Sequence, residues 1–150
     1  MINIKLTYFD NTSGDRQIVD EEVPFPEGKL IVSRTDTKGN ITHCNQAFVE
    51  MSGFCEDELI GQPHYVLRHP DMPKAAFKDL WQTIQTKSKW SGYVKNLRKD
   101  GKYYWVYAVV VPNIRHGKVV GFASVRRKPS RTKINESELL YKTMLAEEKS

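Results

Sequence analysis

The chain has 150 residues, of which 39% are hydrophobic and 27% are charged, with a formal net charge of +5 at pH 7. This length suits one domain with short tails, and this composition excludes a disordered chain and a membrane-spanning apolar run. The first residues lack the basic-then-apolar plan of a signal peptide, so we expect a cytoplasmic protein whose two cysteines are reduced.

Charge is distributed unevenly along the chain. Residues 1–28 carry two basic and six acidic side chains, and the remainder is strongly basic. A basic domain can meet nucleic acid, a membrane surface or a phosphorylated ligand, or it can simply present a solvated basic face. No helix-turn-helix or RNA-binding signature is present, so we do not expect a nucleic-acid partner.

The first 28 residues are predicted to form an N-terminal extension. Apolar and polar residues alternate over residues 2–9, which indicates a strand. Residues 10–15, "DNTSGD", are typical of a turn. Residues 23–28, "VPFPEG", predict a linker because proline cannot complete regular strand pairing.

The main domain, residues 29–128, opens with two strands and two short helices. Residues 29–36 and 41–45 are predicted to pair as a hairpin through the turn "TKGN". Asn45 can cap the following helix, and Gly53 can end it. A second short helix is predicted within residues 55–64, where Gly61 and Pro63 stop it.

A third helix follows the stretch "LRHPDMPKAAFKDLW" at residues 67–81. Asp71 and Pro73 are typical of a helix start. The apolar residues of this helix recur at i, i+3, i+4 and i+7, which predicts one buried stripe. Its members are Phe77, Leu80, Trp81 and Ile84.

Three further strands are predicted at residues 90–98, 102–114 and 118–127, with "KDG" and "RHG" as hairpin turns. Residues 129–150 are predicted to form a linker and a C-terminal helix, with Asn135 as its cap and Glu138 three positions later. The predicted fold class is therefore α+β: a five-stranded antiparallel sheet with short helices on one face.

This order resembles the PAS sensor fold, and the resemblance spans about residues 29–127. The motifs that carry it are "DTKGNITHCNQAFVEMSGFCEDELIGQPH", "RKDGKYYWV" and "GKVVGFASVRR". The stretches "GQPHYVLRHPDMPKAAFKDLWQTI", "WSGYVKN" and "YWV" are similar to the PAS domain of bacterial aerotaxis receptors, the FAD-binding redox and energy sensors. The resemblance implies an FAD cofactor, no enzymatic activity, and a signalling or HAMP-like domain as partner, in the same receptor or another protein. It also implies that the chain is the cytoplasmic part of a membrane-bound receptor, or a separate module.

A flavin dinucleotide requires an apolar slot for its ring, donors and acceptors for its polar edge, and cations or free amides for its pyrophosphate. The stretch 68–81 offers all three. Arg68 can make paired contacts with phosphate, and His69 is a donor that can be tuned near neutral pH. Phe77 and Trp81 offer aromatic surface for the ring system, although they also suit a packed core. Asp71 can cap the helix or approach the ligand.

Further candidate residues lie outside that stretch. Asn96 ends a strand whose inward face also carries Val94, so its amide suits a polar flavin edge, or else a strand-end turn. Trp90 can cover an adenine or close the core. The resemblance puts Tyr104 inward and Arg126 close to the flavin ring, where it could stabilise a reduced, anionic flavin or else form a surface salt bridge. Asn45 completes the set of candidate cofactor-binding residues.

The outward face of the strand at 102–114 raises the question of what covers it. Trp105, Tyr107 and Val109 would form an exposed apolar patch unless another element packs there. The N-terminal extension, the C-terminal helix, a partner domain and a second copy of the chain are the alternatives.

The sequence also bears on functions other than flavin-based redox sensing. Related light-sensing PAS domains carry a reactive cysteine where this chain has "RHPDM", and Cys44 and Cys55 lie elsewhere, so we expect no photochemical adduct. No GxGxxG, P-loop, HExxH or GxSxG motif is present. The alternatives are a haem sensor with His64 or His69 as the axial ligand, a ligand-free interaction module, and a small flavin reductase.

Overall fold

The computed structural model describes residues 2–7, 13–86 and 88–149, with side chains from residue 16 onward. Seven strands form two antiparallel sheets: β1 (Ile2–Thr7) with β2 (Ser13–Ile18), and a five-stranded sheet of order β4-β3-β7-β6-β5. The strands of the larger sheet are β3 (Ile31–Thr35), β4 (Ile41–Cys44), β5 (Trp90–Leu97), β6 (Tyr103–Arg115) and β7 (Lys118–Arg127). The α+β fold class and the five-stranded antiparallel sheet are confirmed.

The N-terminal extension pairs with itself and then joins the main sheet. β1 and β2 form a hairpin in which Thr7 lies opposite Ser13, so residues 13–15 belong to a strand and the predicted turn over them is wrong. Residues 8–12, the remainder of that prediction, lie outside the described residues. The linker at 23–28 has no strand, as predicted, and just before it Tyr103 donates its backbone N–H to the Glu21 carbonyl at 3.1 Å.

Helices cover both faces of the main sheet. On the inner face lie α1 (Gln46–Ser52), α2 (Glu56–Leu59), a 3₁₀ turn at His64–Leu67, and α3 (Lys74–Gln85), while α4 (Arg131–Lys149) lies against the outer face. Among the described residues, none of these helices combines the length and the apolar character that crossing a bilayer would require.

Asn45 fixes the start of α1 to the sheet. Its Oδ1 accepts hydrogen bonds from the backbone N–H of Phe48 at 3.2 Å and of Val32 at 3.1 Å, and its Nδ2 donates to the Leu30 carbonyl at 2.9 Å. The predicted cap is confirmed, and so is the predicted end at Gly53, whose φ of 76° is the left-handed conformation that glycine adopts readily. The side-chain amide of Asn45 thus joins the start of α1 to the start of β3.

The C-terminal helix begins earlier than the sequence predicts. α4 starts at Arg131, and Ser130 caps it by accepting the backbone N–H of Lys133 at 3.2 Å. The prediction of Asn135 as the cap is wrong because a serine one turn upstream already satisfies the free amides. On α4, the Tyr141 ring stacks on Trp105 with centroids 6.2 Å apart, so this helix covers part of the predicted outward stripe.

We predict that Asn45→Ala lowers the free energy of unfolding by about 2 kcal/mol, because it removes a cap and leaves strand amide and carbonyl groups unsatisfied. Urea denaturation monitored by circular dichroism measures the change. Gln46→Ala, on the exposed neighbouring position, should change stability by less than about 0.5 kcal/mol. Equal stability of the two variants would contradict this account of Asn45.

Candidate functional site

A cavity of about 580 Å³ lies between α3 and the inner face of the main sheet. This volume falls within the usual range for a small-molecule site, about 300–1,000 Å³. Apolar side chains make most of the wall: Phe77, Leu80, Trp81 and Ile84 from α3, and Val94, Val106, Ala108, Val110 and Phe122 from the sheet. The predicted apolar stripe of α3 therefore faces the cavity, and the same residues also pack against the hydrophobic core next to the cavity.

The polar end of the cavity is built around the guanidinium of Arg126. This side chain is 3% exposed, contacts the Ser33 hydroxyl and the Nε2 of His64, and lies 4.8 Å from the Phe48 ring centroid. Burial lowers the pKa of Arg126 to about 10, so it stays charged at neutral pH. Among the described residues no carboxylate forms an ion pair with it. The cavity therefore contains a buried positive charge whose contacts are neutral.

His64 is held in its neutral form by this environment. Burial, and then repulsion by Arg126, lower the pKa of His64 to about 3. Because the Arg126 Nη2 lies 2.9 Å from the His64 Nε2 and can only donate, Nε2 is the acceptor and Nδ1 carries the proton.

Asn96 brings a second polar group to the same cavity. It is 4% exposed, and residues 68 and 96 form an isolated antiparallel bridge. The Asn96 side chain hydrogen-bonds to Tyr104, which lies directly opposite on β6. Burial raises the pKa of Tyr104 to about 12, so its hydroxyl keeps its proton. The inward orientation expected for Tyr104 is observed, although its side chain lies behind Asn96, outside the cavity wall.

Arg68 lies where the cavity wall meets α3. It is 6% exposed, donates from Nη2 to the Met72 carbonyl at 3.1 Å, and lies 5.5 Å from the Phe77 ring centroid. The neighbouring Trp81 ring packs on Phe122 at 5.6 Å between centroids. The guanidinium of Arg68 and the indole of Trp81 therefore both belong to the cavity wall.

Asp71 and His69 face away from the cavity. Asp71 Oδ2 accepts from the Lys95 Nζ at 2.7 Å, and the His69 Nδ1 accepts the Asp71 backbone N–H at 3.0 Å. Burial would raise the pKa of Asp71, but the hydrogen bond and charge of Lys95 hold it below its usual value. Burial lowers the pKa of His69 to about 4. The prediction of Asp71 as the helix cap is wrong: α3 begins at Lys74, after Pro73.

Of the ten candidate residues, the structure brings five together at the cavity: Arg68, Phe77, Trp81, Asn96 and Arg126. The other five lie outside the cavity wall: Asn45, His69, Asp71, Trp90 and Tyr104. Trp90 donates from Nε1 to Asp79 Oδ2 at 2.9 Å and covers Gly92, where a Cβ would lie 2.6 Å from the indole. It therefore closes the junction of α3 with β5.

Sequence reasoning missed several polar residues of the wall. Ser33 and Ser124 both line the cavity, and Ser33 shares a face of β3 with the buried Ile31, which is a signal that strand alternation could have supplied. His64 was considered only as a metal ligand, and nothing in its local sequence indicates its contact with Arg126. Neither cysteine is among the described residues of the wall.

Comparison with known proteins identifies the family. A model of the PAS fold matches residues 41–126. The chain belongs to the PAS-fold family. The resemblance to aerotaxis receptors is also confirmed: this PAS domain is 45% identical over 129 residues to the aerotaxis receptor of Escherichia coli strain K12, a match that covers 86% of this chain and 26% of that receptor.

Two further relatives extend the comparison. A nitrogen fixation regulatory protein of Klebsiella pneumoniae is 26% identical over 102 residues, covering 67% of this chain and 21% of the regulator. The chain thus spans about a quarter of the length of the curated relatives it matches. A light-oxygen-voltage domain studied with a flavin analogue has the same fold, with a TM-score of 0.65 at 20% identity over 81% of this chain and 87% of that one. The two curated relatives are a receptor and a regulatory protein.

We predict that the contact between His64 and Arg126 makes the fold sensitive to acid. Unfolded His64 takes up a proton near its ordinary pKa of 6.5, but folded His64 resists protonation until about 3. Because the pKa of His64 is lower in the folded state than in the unfolded state, neutral His64 contributes to the free energy of unfolding. This contribution is fully present above pH 6.5 and is lost as the pH falls towards 3.

His64→Gln keeps an acceptor for Arg126 and removes the titration. Between about pH 7.5 and about pH 5, the unfolding free energy of the parent should therefore fall further than that of the variant, by on the order of 1–2 kcal/mol. Urea denaturation at both pH values measures this difference. His43→Gln, on the exposed part of β4, is the matched control. An equal pH dependence in the parent and His64→Gln would show that His64 is not the responsible group.

Proposed function

We propose that this PAS domain binds a flavin noncovalently, as FAD, and reports its redox state to a chemotaxis-type signalling output. The observation that carries this proposal is the Arg126 guanidinium, which is buried at the end of an apolar cavity with no carboxylate partner among the described residues. A buried charge is costly unless an opposite charge or strong acceptors offset it. A ligand with an electron-rich polar edge would supply them.

The chemistry of the wall fits a flat ring system. Phe77, Leu80, Val106 and Phe122 offer apolar surface from both sides, as the ring would need. Asn96 offers one amide donor and one acceptor, and Arg126 offers only donors. A flavin has an apolar ring body with a polar edge of carbonyl and ring-nitrogen groups, so the two sets of groups are complementary.

Bound flavin supplies reversible uptake of electrons and protons at its ring. Arg126 would favour the more negatively charged form, because its own charge stays fixed at neutral pH. Asn96 can rotate its amide to exchange donor for acceptor when the ring edge changes. Both residues lie on strands of the main sheet, so a change in their hydrogen bonds alters β5 and β7, and α4 on the outer face would carry it to the output.

The other sensing chemistries fit the residues less well. His64 already uses its Nε2 as an acceptor for Arg126, and His69 lies outside the cavity wall, so neither offers a nitrogen suited to haem iron. Cys44 and Cys55 also lie outside the described wall, which does not favour a light-driven thiol adduct. Of these three chemistries, reversible reduction of a bound flavin is the one that the wall residues support best.

The proposed role extends to the rest of the protein. The sensor would be formed by residues 29–128, preceded by an extension at 1–28 and followed by a linker helix at 129–150. The domain would lie on the cytoplasmic side of a receptor or form a separate module. The partner would be a signalling or HAMP-like domain, or a second copy of the chain. The domain would act as a sensor, not as an enzyme.

The chromophore of the purified protein tests the proposal directly. After denaturation, chromatography should recover FAD, and dithionite followed by air should bleach and restore its absorbance while blue light alone leaves no lasting change. Recovery of haem, or of no chromophore after incubation with flavins, would refute flavin sensing. Recovery of FMN would leave the ring site intact and refute the choice of FAD.

Arg126→Gln tests the role of the buried cation. Without that charge the reduced flavin loses stabilisation, so we predict a midpoint potential lower by a few tens of millivolts, where about 30 mV corresponds to about 1.4 kcal/mol for two electrons. Equilibration with redox dyes measures it. Arg127→Gln, at the exposed neighbouring position, removes the same charge and should leave the potential unchanged. An unchanged or higher potential in Arg126→Gln would count against the assigned role.

A further inference from the structure

The hairpin of β6 and β7 extends beyond the rest of the main sheet. The pairing of β5 with β6 begins at Trp90, which lies opposite Val110. The pairing of β3 with β7 ends at Thr35, which lies opposite Phe122. Residues 111–121 therefore continue as a two-stranded ribbon, here called the β6–β7 tip, with which no other described strand pairs.

A two-residue turn closes the β6–β7 tip. Arg115 pairs with Lys118, so His116 and Gly117 form the turn between the strands. The φ values of these two residues, 51° and 77°, are both positive, as in the tight turns that match the twist of a hairpin. The side chains of the tip are thus presented by regular structure.

The tip carries positive charge that its own side chains do not offset. Arg115 and Lys118 are both exposed and lie directly opposite each other, an arrangement in which like charges destabilise a strand pair. Neither strand of the hairpin contains an aspartate or a glutamate. Among the described residues, no carboxylate lies within ion-pair distance of either side chain. An anionic partner would offset this repulsion.

Two exposed apolar side chains flank this charge. Ile114 and Val120 are each three positions from Gly117, and they are 48% and 46% exposed. Val119, the neighbour of Val120, packs on the core and so joins the tip to the body of the domain. Apolar side chains beside cations are the combination with which peripheral proteins bind the interface of an anionic membrane.

We propose that the β6–β7 tip contacts the headgroup region of an anionic lipid membrane. Arg115 and Lys118 bind lipid phosphate groups, while Ile114 and Val120 enter the boundary between the headgroups and the acyl chains. Penetration stops there, because the edges of the ribbon carry backbone N–H and C=O groups that hydrocarbon cannot satisfy. The contact fixes the orientation of the domain against a membrane, and it does not depend on a bound flavin.

Other partners fit this surface less well. A strand added at the edge next to β5 would meet Pro112, which offers no backbone N–H for pairing. A polyanion such as a nucleic acid would bind the two cations, but its phosphates would leave Ile114 and Val120 without an apolar contact. A lipid surface offers a partner to both kinds of side chain.

Cosedimentation of the 150-residue chain with lipid vesicles tests the proposal. Vesicles of phosphatidylglycerol and phosphatidylethanolamine should bind the parent, whereas vesicles of phosphatidylcholine should not. In R115Q/K118Q the affinity for the anionic vesicles should fall by at least about tenfold, because each basic residue near an anionic surface contributes about fivefold. R127Q/K142Q removes the same charge at exposed positions outside the tip and should lower that affinity by less than about threefold.

The variant I114S/V120S tests the apolar contribution. It should bind the anionic vesicles about fivefold more weakly than the parent, because two aliphatic side chains no longer leave water. L139S/L140S, which removes two exposed leucines from α4, is the matched control and should bind as the parent does. Circular dichroism checks that each variant is folded.

Three results would overturn the proposal. The parent would fail to bind the anionic vesicles, or R115Q/K118Q and R127Q/K142Q would lose affinity equally, which would mean that net charge and not the tip decides binding. An unchanged affinity in I114S/V120S would replace the lipid assignment with a polyanion bound through charge alone.

Discussion

A buried positive charge, to which no carboxylate of the described residues is paired, is the constraint on which the interior of this domain depends. Arg126 is surrounded by a hydroxyl, a neutral imidazole and an aromatic face, each of which stabilises the guanidinium without cancelling its charge. Burial, and then the charge of Arg126, keep the pKa of His64 far below its usual value, and the contact with Arg126 fixes which ring nitrogen accepts. It also prevents the inner face of the sheet from closing as a purely apolar core, because a buried charge is costly without groups that stabilise it.

The cavity lies beside this buried charge. A ligand that fills it would contribute to the free energy of folding. An inner face that packed to normal density would bury Phe77, Val106 and Phe122 against one another. Here they line an open space of about 580 Å³. A ligand that fills this space stabilises the folded state in proportion to its concentration and affinity. The stability of the fold and the proposed sensing would therefore involve the same residues.

Much of the architecture could be predicted because its determinants lie close together in the sequence. The alternation of apolar and polar residues predicted strands, and Asn45 and Gly53 predicted the two ends of α1. The resemblance to flavin-binding PAS domains placed Asn96 and Arg126 among the candidate residues of the site. The errors arose where a distant partner decides the structure. Asp71 was predicted as a cap, but Lys95 binds it and Glu148 caps α3 instead. The contact of His64 with Arg126 spans 62 positions and has no local signal.

The three attachments of α4 have a mechanical consequence. Arg131 in its first turn donates from Nη1 and Nη2 to the carboxylate of Glu22. Tyr141 in its middle stacks on Trp105, and Glu148 in its last turn accepts the first backbone N–H groups of α3. A helix of 19 residues is about 28 Å long and resists bending. A twisting force applied at Lys149 would therefore reach the α3 wall of the cavity directly. The position of α4 on the outer face of the sheet and the position of α3 at the cavity would thus be coupled through Glu148.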